Sequence, residues 1–196
     1  MAPLTAPARH NLPLPGTSFV GRERDLSDLL RLLGSSRSVT LCGADGIGKT
    51  RLALRVAEQS TVSFPDGVWI ADLTDVRTPL EVHARIAQAV GVVEEPGLPL
   101  GVTVTEALRD RRLLLVLDSC EHIADEVTEV GETLLAECPA VSVLLTSEVP
   151  VRLTGGTVWR VPAMALPVTP RNAPPPDPAD AESVRLFMDR ARARDP

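Results

Sequence analysis

The stretch Leu41-Cys42-Gly43-Ala44-Asp45-Gly46-Ile47-Gly48-Lys49-Thr50 carries the pattern G-x-x-x-x-G-K-T, which is the Walker A phosphate loop. The apolar run Ser38–Cys42 before it predicts a buried strand, and the run Thr50–Gln59 after it predicts a helix. A strand, a glycine-rich loop and a helix in this order are the context in which the motif binds phosphate. A chance glycine-rich turn, the plainer alternative, would not need these neighbours. The stretch therefore predicts a nucleotide site in an α/β domain.

Each residue type in the loop has a chemical reason to be there. Gly43, Gly46 and Gly48 allow positive φ angles, so that successive N–H groups can point at phosphate oxygens. The positive end of the following helix attracts the same anion. Lys49 is predicted to contact the β- and γ-phosphates, and the hydroxyl of Thr50 to hold Mg²⁺. The neighbouring Asp45 is expected to point to solvent.

Composition limits the classes of function. A chain of 196 residues with 44% hydrophobic residues is long enough for one α/β domain with a real core. A net charge of −6 argues against direct binding of nucleic acid, which usually needs a basic face. The three cysteines have no metal-ligand spacing and are expected to be small buried hydrophobes in a reducing compartment. Because no apolar run approaches membrane-spanning length, we expect a cytoplasmic protein.

A second motif lies at the end of a buried strand further along the chain. The continuous apolar run Leu113–Leu117 is typical of a strand that is buried on both faces, and Asp118 follows it directly. This is the Walker B pattern, in which the carboxylate reaches Mg²⁺ through water. The pattern alone is weak, but Asp118 lies far enough beyond Lys49 for two β-α crossovers. We therefore predict Thr50 and Asp118 as the residues that hold the metal.

The rest of the chain divides into four parts. Composition and periodicity predict a flexible arm over 1–16, a P-loop domain over 17–161, a proline-rich linker over 162–180 and the first helix of a further helical domain over 181–196. The predicted helices are Arg24–Leu33 (ended by Gly34), Thr50–Gln59, Pro79–Val90, Val104–Arg111, Ile123–Leu135 and Ala181–Arg194. The predicted strands are Ser38–Cys42, Val68–Ile70, Leu113–Leu117, Val141–Leu145 and Thr157–Val161.

Four segments together resemble one known family. They are Phe19–Glu23, Gly43–Ala53, Leu113–His122 and Thr146-Ser147. They are similar to the nucleotide-binding domain of STAND ATPases, the NB-ARC and AAA-like signalling class, and most of all to bacterial transcriptional regulators with SARP-type or LuxR-type DNA-binding domains. The resemblance covers roughly residues 12–194. The Walker A part is common to many NTPases, whereas Gly21-Arg22-Glu23 and Asp118–His122 are far more specific to the family.

The resemblance implies a fold, a site and a way of working. The fold is a three-layer P-loop NTPase with a five-stranded parallel sheet in the order 5-1-4-3-2, flanked by helices. The cofactors are ATP or ADP with Mg²⁺. ADP would hold a closed monomer, and ATP would open it for self-association; other domains of a larger regulator would bind DNA and sense the stimulus. The residues implied at the nucleotide are Val20, Gly21, Arg22, Gly43, Ala44, Asp45, Gly46, Ile47, Gly48, Lys49, Thr50 and Arg51, with Lys49, Asp118 and Glu121 as the catalytic candidates.

Two residues depart from the family pattern. Ser119 stands where the family usually has asparagine, and where relatives elsewhere in the class carry a second acid that would activate water, so Glu121 is only a weak candidate for that base. Glu148 stands where the family commonly has an arginine that contacts the γ-phosphate. Arg152 could replace that arginine only if its loop bends back. We expect that nucleotide is bound but that hydrolysis is slow or absent.

Three functions are compatible with these residues. The first is a regulatory ATP/ADP switch module with weak ATPase activity. The second is a non-hydrolysing nucleotide-binding domain that acts by docking partners. The third is a metabolic P-loop enzyme such as a kinase, for which the chain offers no lid or acceptor-substrate motif. The rate of ATP turnover separates the first two, and a phosphorylated product would be needed for the third.

Overall fold

The computed structural model describes residues 10–14, 16–167 and 181–194. Its helices are α1 (Glu23–Ser35), α2 (Lys49–Ser60), α3 (Pro79–Val90), α4 (Leu100–Leu108), α5 (Ala124–Glu137) and α6 (Glu182–Arg194). Its strands are β1 (Ser38–Cys42), β2 (Val68–Asp72), β3 (Leu114–Asp118), β4 (Ser142–Ser147) and β5 (Thr157–Arg160). The first nine residues of the predicted arm and residues 168–180 of the predicted linker lie outside the described residues.

The strands form one parallel sheet in the order β2-β3-β4-β1-β5. This is the predicted order 5-1-4-3-2 counted from the other edge, so the predicted fold class is confirmed. The register pairs Leu117 with Leu145 and Cys42 with Ser147. As a result, β1, β3 and β4 end side by side, and the residues that follow them meet at one edge of the sheet.

Helices cover both faces of the sheet, which makes three layers. Alternate residues of β3 point to opposite faces, so Leu115 and Leu117 belong to one apolar cluster and Leu114 and Val116 to the other. The first cluster includes α3, α4 and α5, and the second includes α1 and α2. Burial on both faces explains the continuous apolar runs Leu114–Leu117 in β3 and Val143–Leu145 in β4.

Two predicted helix limits were wrong for local reasons. Helix α4 runs over Leu100–Leu108 and not over 104–111, because Pro99 stands at its N-cap and the chain leaves the helix in a turn after Leu108. Gly34 does not end α1, since the helix continues to Ser35, whose hydroxyl donates to the carbonyl of Leu32. Helix α3 has the expected limits and is held by a capping box between Thr78 and Glu81.

The described part of the predicted arm does not behave as a free segment. The side chain of Asn11 accepts from the N–H of Ile70 at 2.7 Å and donates to the carbonyl of the same residue at 2.9 Å. His10 forms a parallel bridge with Val68. Residues 10 and 11 thus occupy hydrogen-bonding groups of β2, which is an edge strand of the sheet. In the part of the chain that the structure describes, no helix has the length and apolar character needed to cross a membrane.

Candidate functional site

The phosphate loop connects β1 to α2 at the edge where the central strands end. Gly46 and Gly48 have φ angles of 72° and 93°, and Gly48 is the N-cap residue of α2. The first N–H groups of a helix have no acceptor within it, so those of α2 are available to an anion. Asp45 is exposed, and its carboxylate accepts from the N–H of Gly46 at 2.7 Å, which turns it back onto the loop.

Gly43 is needed for a different reason from the one predicted. Its φ is not positive; a Cβ at this position would instead lie 3.2 Å from Cγ2 of Ile47 and 3.5 Å from Cβ of Val161. Its N–H donates to the carbonyl of Ser147 at 3.2 Å. Gly43 therefore lets the loop pass close to the residue after β5, while the end of β4 holds the beginning of the loop.

Lys49 folds over the loop that it follows. Its ammonium group donates to the carbonyls of Gly43 at 2.9 Å and of Ala44 at 3.1 Å. The amine thus lies across the concave side of the loop and has two neutral acceptors. A phosphate oxygen is a stronger acceptor for an ammonium group than a carbonyl, because the hydrogen bond is charge-assisted on both sides.

Thr50 and Asp118 meet, as their predicted shared role requires. The hydroxyl of Thr50 donates to Oδ1 of Asp118 at 2.8 Å, although the two residues are far apart in the chain. Both supply oxygen atoms, the ligands that Mg²⁺ prefers, and both lie beside the start of α2. These donors fit a magnesium ion. Elsewhere in the described residues, no group of three or more His, Cys, Asp or Glu side chains could hold a metal.

Thr146 is a site residue whose individual role the sequence did not reveal. Its hydroxyl donates to Oδ1 of Asp118 at 2.5 Å and accepts from the N–H of Ser119 at 3.0 Å. Its carbonyl accepts from the N–H of Cys120 at 2.9 Å. The strand order expected from the resemblance puts the end of β4 between the two Walker motifs, and a polar residue directly after the apolar run Val143–Leu145 was the available clue.

The segment after Asp118 is also held by the end of β4. Ser119 has a φ of 65°, an unusual conformation for a residue other than glycine or asparagine. Glu121 begins a short 3₁₀ turn, and its Oε2 accepts from the N–H of Glu148 at 3.3 Å. Glu121 and Glu148 are therefore close together at this edge, while Arg152 is exposed in the connection between β4 and β5. The carboxylate of Glu121 already has a backbone partner, which weakens the case for it as the group that activates water.

Of Val20, Gly21 and Arg22, which the resemblance implies at the nucleotide, Arg22 is the residue that contacts the phosphate loop. This residue is buried, with a φ of 63°, and its guanidinium donates to the carbonyl of Ile47 at 2.8 Å and to Asp25 at 2.9 Å. Burial raises the pKa of Asp25, although the adjacent Arg22 acts against this rise. On the other side, the N–H of Arg22 donates to the carboxylate of Glu182 in α6 at 2.9 Å. Arg22 thus joins three separate parts of the chain.

The side chain of Arg51 donates its hydrogen bonds to the segment before Val20 and, among the described residues, none to the phosphate loop. Its guanidinium donates to the hydroxyl and carbonyl of Thr17 and to the carbonyl of Ser18. Burial lowers the pKa of Arg51, and the nearby Arg190 of α6 adds to this effect. Ser18 is also held by α6, since it donates to Asp189 at 2.5 Å and accepts from Arg190 at 2.7 Å.

The three cysteines are free and buried, as predicted. Cys120 lies within the Walker B turn, and burial together with the negative charge of Asp118 raises the pKa of its thiol. A thiol that stays protonated is a poor nucleophile and a poor metal ligand. The cysteines therefore contribute packing to this site.

A family model described as an AAA domain matches residues 31–155, which include both Walker motifs and the end of β4. Among known sequences, the chain is 38% identical over 192 residues to an uncharacterised protein of Mycobacterium tuberculosis, a match that covers 98% of this chain and 46% of that protein. It is also 38% identical over 160 residues to a putative HTH-type transcriptional regulator of Mycobacterium tuberculosis, covering 82% of this chain and 16% of the regulator. The regulatory protein AfsR of Streptomyces griseus is 31% identical over 152 residues, or 70% of this chain and 15% of AfsR.

Solved structures show the same fold at much lower identity. A STAND protein with a tetratricopeptide repeat sensor from Pyrococcus horikoshii superposes with a TM-score of 0.54 at 18% identity, covering 82% of this chain and 26% of that one. Cdc6p from Pyrobaculum aerophilum superposes with a TM-score of 0.62 at 20% identity, covering 96% and 52%. The chain spans just under half the length of the first of these sequence relatives and a small part of the named regulators.

Proposed function

This chain belongs to the AAA domain family and is a P-loop ATPase domain related to regulators of transcription, and from that premise we propose that it is a nucleotide-controlled switch module with slow ATP hydrolysis. ATP and ADP would compete for the phosphate loop, and Mg²⁺ would accompany the nucleotide. The observation that carries the proposal is the 2.8 Å hydrogen bond between Thr50 and Asp118. It lies beside the phosphate loop, to which the ammonium group of Lys49 donates.

The residues of the chain would divide the work as follows. The N–H groups at the start of α2 bind phosphate oxygens, and Lys49 leaves the carbonyls of Gly43 and Ala44 to donate to the phosphates. The hydroxyl of Thr50 and the carboxylate of Asp118 hold Mg²⁺, which supplies neutralisation of the phosphate charge. Val20, Gly21 and Arg22 form the side for the base and ribose. Catalysis by such a site consists mainly of positioning and electrostatics.

We propose slow hydrolysis because of the charges at the end of β4. Glu148 and Glu121 are close together at the place where a cation would stabilise the charge of the γ-phosphate. The N–H of Glu148 donates a hydrogen bond to the carboxylate of Glu121. This arrangement lacks a side chain free to activate water and adds negative charge near a triphosphate. The same observation favours the second candidate function, a domain that binds nucleotide without hydrolysing it and acts by docking partners.

We also propose that the chain works within a larger regulator. Residues 17–161 would form the nucleotide-binding unit, 162–180 a linker, and α6 the beginning of a helical unit. Phe187 of α6 is 73% exposed and Met188 is 37% exposed, while the polar residues Glu182, Asp189 and Arg190 make the contacts to residues 18–22. DNA binding and sensing would belong to other domains, and self-association would follow ATP binding.

Calorimetric titration with Mg-ATP and with Mg-ADP tests the proposal, after bound nucleotide has been removed from the purified chain. We expect ADP to bind more tightly than ATP, since Glu148 disfavours the additional phosphate. Equal affinities would contradict a switch, because a ligand without preference for one state shifts no equilibrium. Release of phosphate from ATP, measured on the same sample, separates the slow ATPase from the non-hydrolysing docking domain.

A further inference from the structure

The side chain of Thr146 lies at the centre of the polar contacts that surround Asp118. Thr146 is 1% exposed and is the last but one residue of β4. A hydroxyl has a single hydrogen, and here the N–H of Ser119 donates to the hydroxyl oxygen. The hydrogen is therefore left for Asp118, whose Oδ1 lies 2.5 Å away. The backbone of Ser119 thereby fixes the direction of the hydrogen bond to the carboxylate.

The same carboxylate oxygen accepts a second hydroxyl. Oδ1 of Asp118 receives hydrogen bonds from Thr50 and Thr146, and a carboxylate oxygen has two lone pairs. Its capacity is thus filled by these two donors. Oδ2 remains as the oxygen that is available to a cation or its water. The two hydroxyls together also prevent the carboxylate from rotating.

We propose that Thr146 is a positioning residue that sets the carboxylate of Asp118 for Mg²⁺, an inference that rests on the proposed function. The backbone contacts at the end of β4 also help to fix the position of Asp118. The carbonyl of Thr146 accepts from Cys120, and the N–H of the nearby Glu148 donates to Glu121, so the end of β4 holds the turn after Asp118 on both sides. Thr146 acts from the buried side of Asp118 and through that residue.

Replacing Thr146 by valine keeps the shape and the branched Cβ of the side chain but removes the hydroxyl. Asp118 then loses one of its two hydrogen bonds, and the N–H of Ser119 loses its acceptor. T146S retains the hydroxyl and serves as the rescue variant. T40V is the matched control, because Thr40 is equally buried in the adjacent β1 and its hydroxyl donates to the carbonyl of Val151 at 2.8 Å, away from Asp118.

The experiment measures ATP affinity in EDTA and over a range of Mg²⁺ concentrations. Mg²⁺ should raise ATP affinity, and we compare the Mg²⁺ concentration that gives half of this rise. For T146V we expect that concentration to increase about tenfold, the scale found when a residue that orients a metal ligand is lost. ATP affinity in EDTA should stay at the wild-type value, because Lys49 and the loop are intact. T146S and T40V should both keep the wild-type dependence on Mg²⁺.

Three results would overturn the role of Thr146: an unchanged Mg²⁺ dependence in T146V, a T146S protein as impaired as T146V, or a T40V protein with the same defect. A wild-type protein that binds no nucleotide refutes the proposed function and this inference together. If T146V does not fold, the role of Thr146 is tested on the wild-type protein. The buried Thr146 hydroxyl should then give a slowly exchanging proton resonance in NMR that shifts when Mg²⁺ is added with nucleotide, and an invariant resonance refutes the inference.

Discussion

Replacing Glu148 by arginine should accelerate ATP hydrolysis. The change affects the side chain with little disturbance to the backbone, because the backbone of this residue is held at both of its polar groups. Its N–H donates to Glu121 at 3.3 Å, and its carbonyl accepts from the thiol of Cys42 at 3.4 Å. The new side chain would therefore start from the same backbone position, which the thiol of Cys42 ties to the strand that leads into the phosphate loop.

The magnitude follows from the kind of contact that is gained. A hydrogen bond from a charged donor to phosphate contributes about 1.5–3 kcal/mol. Glu148 is exposed, so solvent screening favours the lower end of this range. A gain of about 1.4 kcal/mol in the transition state corresponds to about a tenfold rise in rate. We expect a smaller gain in affinity for ATP relative to ADP, because the contact raises the rate only by the amount by which it is stronger in the transition state than with bound ATP.

The assay is release of inorganic phosphate under single-turnover conditions, at low and at high salt. Glu148→Gln separates loss of repulsion from gain of a contact, because it removes the negative charge without adding a cation. Glu94→Arg changes the net charge by the same amount, in the exposed loop after α3 at the opposite end of the sheet. An unchanged turnover rate in E148R, or an equal rise in E94R, would refute the reasoning.

Three further predictions concern the same region and its surroundings. Lys49→Ala should weaken Mg-ATP binding by about 10- to 100-fold, the scale of a lost charged hydrogen bond; calorimetry measures this, and near-normal affinity would show that the loop is not the site. Ser119→Asn should raise stability by about 0.5–1 kcal/mol, since asparagine tolerates the φ of 65° better; thermal unfolding should shift by about 2–4 °C per kcal/mol, and Ser119→Ala should give no such gain. The hydroxyl and N–H of Thr74 lower the pKa of Asp72, so this carboxylate stabilises the fold above its unfolded pKa and loses that contribution as the pH falls through the folded value. In Thr74→Val the pKa of Asp72, followed by NMR, should therefore rise and acid unfolding should begin at a higher pH.

The fold could be predicted from the sequence because its strands are strongly marked. Central strands that are buried on both faces favour apolar residues, and Leu114–Leu117 of β3 and Val143–Leu145 of β4 are fully buried apolar runs. The resemblance then supplied the order of the strands, which periodicity cannot give. Helix α4 was misplaced because residues 101–103 (Gly, Val and Thr) are weak helix formers, and the start of the helix is set by Pro99 and by packing on α3 and α5.

The site was predictable where a motif fixes the residue and less so where the contact is made by backbone. Lys49, Thr50 and Asp118 belong to motifs with defined spacing, and the structure brings Thr50 and Asp118 into contact, while their role at a metal stays a prediction. The docking of Asn11 on β2 was missed because a short polar segment at a sheet edge has no periodicity of its own. For Thr146 the obstacle was different, because a single threonine in a strand does not indicate which backbone groups will turn toward it.

The contacts within the phosphate loop bear directly on how nucleotide would act as a switch. Lys49 is satisfied by two carbonyls, Gly46 by Asp45, and the carbonyl of Ile47 by Arg22. Binding of the β-phosphate, which ATP and ADP share, would exchange the present hydrogen bonds of Lys49 and Gly46 for hydrogen bonds to phosphate oxygens and would occupy the N–H groups at the start of α2 with either ligand. Discrimination between them would depend on the contacts of the γ-phosphate, for which we propose Lys49 and the residues at the end of β4. Because Glu148 is negative there, we expect its charge to favour the proposed ADP state. Two hydrogen bonds of Arg22, to the carbonyl of Ile47 and to the carboxylate of Glu182, join the loop to α6, and a change in the loop would reach α6 through them.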